Sequence, residues 1–126
     1  SELSVPQPHE GSRLSPLFDE LRANLQLPWT IFDLSRRAGM SERTFLRRFR
    51  EGTGTTPLKW LRRERVLRAM SLLEKTQLPL SDVSHQCGFG SFETFRAAFR
   101  EIAGITPHAY RKRFECGISR AGAPAD

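Results

Sequence analysis

The sequence predicts an all-α fold. Apolar residues recur at spacings of three and four, not two. Ser15-Pro16 and Thr56-Pro57 have the form of helix starts. A pattern of short helix, glycine and second helix occurs twice. With 126 residues, 38% hydrophobic and 27% charged, the chain has room for one ordinary domain or two very small ones.

Residues 1–14 are polar and aperiodic and contain Pro6, Pro8 and Gly11, so they read as a linker or disordered end. Ser15 then serves as an N-cap with Pro16 at the first helical position. Leu17, Phe18, Leu21 and Leu25 follow at helical spacing until Leu27-Pro28 stops the run. Thr30 and Asp33 resemble a capping box, with Asp in place of the usual Glu or Gln. Thr56-Pro57 opens a long helix carrying Leu58, Leu61, Val66, Ala69, Met70 and Leu73, which ends before Pro79. Residues 116–126 read as a disordered tail. The expected organisation is a first subdomain over 15–55, a connecting helix over 56–76 and a second subdomain over 77–115.

DLSRRAG at 33–39 returns as DVSHQCG at 82–88, and TFLRRFREGTGTTP at 44–57 returns as TFRAAFREIAGITP at 94–107. In each copy a short helix buries two residues four apart, Leu34 with Ala38 and Val83 with Cys87. Gly39 or Gly88 makes a turn that requires positive φ. Met40 or Phe89 plugs that turn. Ser41 or Ser91 then caps a second helix with Phe45 and Phe49, or Phe95 and Phe99, on its inner side. This is the grammar of a helix-turn-helix, in which the second helix enters the major groove of DNA.

The net charge of +6 favours a polyanionic partner. Arg outnumbers Lys, which occurs only at 59, 75 and 112. The planar Arg fork suits phosphate and guanine, although a GC-rich genome produces the same bias. Cys87 and Cys116 form no zinc or CxxC pattern, and no run approaches a membrane span or a signal peptide. A reduced cytosolic protein is therefore expected, with no membrane partner, no metal and no cofactor. Because the chain begins at Ser1, a piece of a longer protein is expected.

The residues CGFGSFETFRAAFREIAGITPHAYRKRF at 87–114 resemble the C-terminal signature of the AraC/XylS family of bacterial transcription regulators. LSRRAGMSERTFLRRFREGTGTTPLKWL at 34–61 fits the first unit of the same family. The resemblance covers roughly 15–114. It implies about seven helices forming two helix-turn-helix subdomains joined by a long central helix. It also implies transcription control, by activation through contact with RNA polymerase or by repression through occlusion of the promoter, with any effector binding and dimerisation in a separate N-terminal domain. The wording around 38–63 is similar to GlxA-type regulators, whose N-terminal domain is PfpI-like and amidase-like.

Opposite the phenylalanines, the first recognition helix presents Arg43, Leu46, Arg47 and Arg50. The second presents Phe92, Glu93, Arg96, Ala97 and Arg100. The resemblance places base contacts on Arg43, Leu46, Arg47, Phe92, Glu93, Arg96 and Ala97. Arg43 and Arg47 would each pair with guanine O6 and N7. Glu93 would accept from a cytosine amino group or orient Arg96, and Phe92 and Ala97 would suit thymine methyls. Phosphate contacts are expected from Thr30, Ser41, Ser91, Arg50, Arg100, Arg111 and Lys112. Competing readings stand beside these. An exposed Arg is commonly just solvated, Leu46 could pack on a neighbouring helix, and Cys87 reads as filler at a helix crossing. His85 is a phosphate contact or nothing, and Trp29, Trp60 and Tyr110 read as packing rings. No nucleophile–base pair, metal set or phosphate loop is recognisable, so no enzyme is expected. The rival is a basic helical protein-interaction module without base readout.

Overall fold

The computed structural model describes residues 6–122, and the surroundings of side chains over 14–115. Among the described residues every regular element is an α-helix: α1 (Pro6–Ala23), α2 (Ile31–Ala38), α3 (Glu42–Thr53), α4 (Pro57–Lys75), α5 (Leu80–Gln86), α6 (Phe92–Ala103) and α7 (Pro107–Gly122). The chain divides into two compact units, residues 1–62 and 63–126. The division falls inside α4, the long helix that carries the chain from one unit into the other. The reason lies in its apolar residues: Leu61 packs in the first core, whereas Val66, Ala69 and Leu73 pack in the second.

In the first unit Leu14, Leu17, Leu21 and Leu25 form one stripe, buried against Leu34, Phe45, Phe49 and Leu61. Phe18 wedges between Phe49 and Trp60, with ring centroids at 5.6 and 5.0 Å. The expected start at Ser15-Pro16 is not observed. α1 begins at Pro6 and contains Pro16. Proline inside a helix forfeits one backbone hydrogen bond. Leu14, only 1% exposed, continues the stripe one turn further and offsets that loss. The predicted linker therefore overlaps α1 from residue 6, and residues 1–5 lie outside the described ones.

Caps end and start the helices as their residue types dictate. Thr30 Oγ1 accepts from the Asp33 amide at 3.1 Å and Asp33 Oδ2 accepts from the Thr30 amide at 3.1 Å, closing the capping box. Gly39, at φ 71°, turns the chain out of α2, and the Met40 amide returns to the Ser35 carbonyl at 3.0 Å. Ser41 and Ser91 cap α3 and α6 through the Thr44 and Thr94 amides.

In the second unit Val66, Ala69 and Leu73 of α4 take the place that the leucines of α1 hold in the first. They pack with Val83, Cys87, Phe89, Phe95, Ala98 and Phe99. Tyr110 lies 5.5 Å from Phe99, edge-on, and its hydroxyl donates to Glu74. α7 runs to Gly122, so the tail predicted from 116 is helical for most of its length; residues 123–126 lie outside the described ones.

Candidate nucleic-acid interface

α3 and α6 owe their orientation to their phenylalanines. Phe45 and Phe49, and Phe95 and Phe99, are fully buried four residues apart. A helix that buries i and i+4 must turn the opposite side outward. Arg43, Leu46, Arg47 and Arg50 are accordingly exposed on α3. Phe92, Glu93, Arg96, Ala97 and Arg100 are exposed on α6. Leu46 and Phe92 are 40% and 41% exposed, so neither is consumed by packing. The Phe92 ring nevertheless rests against Phe95, with centroids 5.8 Å apart.

The two faces differ chemically. α3 carries guanidinium groups at 43 and 47; Arg47 lies 3.5 Å from Glu51, an exposed i,i+4 pair of little energetic weight. α6 places Glu93 and Ala97 at the corresponding positions, and an aromatic ring at its first residue. Arg50 and Arg100 sit in the last turns of their helices. Thr30, Ser41 and Ser91 are exposed, but their hydroxyl oxygens already accept from helix amides. What they still offer an anion is the amide-rich start of a helix.

Lys112 is exposed, whereas Arg111 has a different task from the one expected. Its guanidinium donates to the Leu78 carbonyl at 2.7 Å and the Thr76 carbonyl at 3.3 Å. Those carbonyls follow the end of α4, where no helical amide reaches them. Arg111 thus ties α7 to the segment before α5, which leaves its guanidinium engaged within the protein.

Titratable groups near the second core follow from burial. The Cys87 thiol is free and buried, and burial pushes it up to about 11 against the pull of Arg68 and Arg65. Burial lowers the Arg65 guanidinium from its ordinary value. Tyr110 is pushed up to about 12, first by burial, then by its hydrogen bond to Glu74 and that carboxylate's charge. None of these groups lies on the outward faces of α3 or α6. Among the described residues no group of three or more His, Cys, Asp or Glu could hold a metal, and no helix is long and apolar enough to cross a membrane.

Sequence reasoning overlooked one surface. Leu27, Pro28, Trp29, Phe32, Asp33, Arg36 and Arg37 line a depression of about 370 Å³ at the start of α2. Phe32 is 56% exposed beneath Arg36, and Arg37 covers Trp29 and pairs with Glu20. The clue was an aromatic at 32, off the inner face marked by Leu34 and Ala38.

A family model described as a helix-turn-helix domain matches residues 34–113. The HTH-type transcriptional activator RhaR of Escherichia coli strain K12 is 34% identical over 108 residues, covering 86% of this chain and 38% of the activator. The chain therefore spans about two fifths of the length of such relatives. The DNA-binding domain of AdpA, a global transcriptional factor solved in complex with a target DNA, superposes with a TM-score of 0.80 at 38% identity, covering 82% of this chain and 94% of that one. An AraC-type regulator from Chromobacterium violaceum gives a TM-score of 0.77 at 28% identity, covering 85% and 96%. A twice-used helix, glycine turn and Phe-anchored helix, within a match this long, means that the chain belongs to the helix-turn-helix family of AraC/XylS-type transcription regulators, as their DNA-binding domain.

Proposed function

We propose that α3 and α6 are recognition helices that read double-stranded DNA in successive major grooves of an asymmetric site, to regulate transcription. The observation that carries this is the outward face of α3. Arg43, Leu46, Arg47 and Arg50 are exposed to solvent because Phe45 and Phe49 fix the helix from behind. AdpA's domain, solved on its target DNA, supports the same reading here. Base contacts are assigned to Arg43, Leu46 and Arg47 on α3, and to Phe92, Glu93, Arg96 and Ala97 on α6. Thr30, Ser41, Ser91, Arg50, Arg100 and Lys112 are assigned to phosphate, with Arg111 withdrawn from that set. The reading places the protein in the bacterial cytoplasm on the nucleoid, with RNA polymerase as its protein partner. It leaves effector binding and dimerisation to another domain and gives this chain no catalytic step.

Selection of preferred duplexes from a random pool, followed by anisotropy titrations in rising salt, tests the proposal. A defined motif should emerge, and log affinity should fall linearly with log salt concentration. Arg47→Ala should relax one base position, at a cost of about 1–3 kcal/mol on the preferred sequence. Arg100→Ala should weaken all duplexes alike and lower the salt slope by about one. Weak, sequence-blind binding would favour a basic protein-interaction module instead.

A further inference from the structure

We infer that α6 reads a pyrimidine bearing a methyl group at C5 and an amino group at C4, which makes binding of its half-site respond to cytosine methylation. This rests on the DNA-reading role proposed above and adds the chemistry of the base.

Three features converge at the start of α6. Phe92 is the first residue after the Ser91 cap and leaves 41% of its surface exposed. Its ring leans on buried Phe95, so the exposed portion is held in place rather than free to fold away. Glu93 follows at once, exposed, and Arg96 and Ala97 are exposed one turn on. An apolar surface and a carboxylate therefore start the helix together, where a recognition helix meets base edges.

Pyrimidines differ at the major-groove edge in two adjacent groups. Thymine shows a C5 methyl beside an O4 acceptor, and cytosine shows a bare C5 beside an N4 donor. A carboxylate faces a thymine O4 with lone pair against lone pair, yet accepts readily from a cytosine N4–H. An exposed phenylalanine gains from a methyl and nothing from a bare C5–H. Methyl and amino group occur together only in 5-methylcytosine. The corresponding positions of α3 hold Glu42 and Arg43, a polar pair with no such preference. The combined preference for a methyl and an amino group is thus assigned to the α6 half-site, with exposed Leu46 of α3 as the rival source of a methyl preference.

The test uses the intact chain and a selected duplex, so no variant need fold to make it decisive. Every pyrimidine of the duplex is replaced in turn, cytosine by 5-methylcytosine and thymine by deoxyuridine, and anisotropy gives each dissociation constant. One cytosine in the α6 half-site should bind about fourfold more tightly when methylated, the gain from about 0.8 kcal/mol for one methyl-sized group leaving water. Phe92→Ala, with folding verified by circular dichroism, should bring that ratio to one. Glu93→Gln should let thymine compete at the same position. Equal binding of methylated and unmethylated duplexes at every position would overturn the inference while leaving DNA reading intact. A methyl preference abolished by Leu46→Ala rather than Phe92→Ala would overturn it as well. Failure to select any duplex would remove the DNA reading itself.

Discussion

At the scale of single residues, the buried thiol of Cys87 and the half-buried hydroxyl of Tyr110 set how the second unit meets alkali. Cys87 is raised from 9.0 to about 11 and Tyr110 from 10.0 to about 12. Both are neutral at pH 7. Between the unfolded and folded values the unfolded chain has given up the proton that the folded chain retains, so stability falls as pH rises. The contribution of Cys87 is complete below pH 9 and disappears by about 11, and that of Tyr110 disappears between 10 and 12. Tyr110 is the only tyrosine in the chain, so phenolate absorbance reports it alone. Its midpoint should lie near pH 12 in the folded protein and near 10 in denaturant; a folded midpoint at 10 would contradict both the burial of the hydroxyl and its bond to Glu74. Residues of this kind also mark where sequence reading stops. The inward Phe pairs and Ser caps were legible because their partners lie three or four positions away. The partners of Arg111 lie 33 and 35 positions away, and no spacing rule links a guanidinium to carbonyls that far off.

At the scale of the element, caps proved easier to read than ends. The Thr30–Asp33 box and the starts of α3, α4 and α6 follow from local chemistry that a sequence displays. α1 was misjudged because Pro16 looks like a first helical residue. The stripe of Leu14, Leu17, Leu21 and Leu25 decides instead, and it begins before the proline. Leu14→Ala should therefore cost about 2–5 kcal/mol in denaturant unfolding, as for a core leucine. A change within experimental error would restore the linker reading of that segment. Two glycines give a matched contrast. Gly39 sits at φ 71°, where an L side chain costs roughly 1–2 kcal/mol, so Gly39→Ala should destabilise. Gly52 lies exposed within α3 with open space around its Cβ position, so Gly52→Ala should stabilise by up to about 1 kcal/mol. Equal effects at both sites would mean that α3 ends before residue 52.

At the scale of the whole chain, repetition made the fold legible, and divergence between the copies gives the proposed site its direction. α3 presents Arg at 43 and 47, and α6 presents Glu and Ala at the matching positions 93 and 97. Exchanging the two halves of a selected duplex should therefore reduce affinity to the non-specific level. Unchanged affinity would mean that the halves are read alike. The depression around Phe32 escaped notice because it belongs to neither copy's shared grammar.

The anchoring beneath the faces has diverged too, and this limits how the chain can be re-engineered. Leu61 is buried in the first core, whereas its counterpart Arg111 is fastened to the carbonyls of Thr76 and Leu78. A designer who duplicated the first half wholesale to obtain two identical reading heads would leave both carbonyls bare, at a penalty of about 1–3 kcal/mol for each one buried. Specificity should be transplanted by grafting only the solvent-facing positions of one helix onto the other, with each half keeping its own foundations.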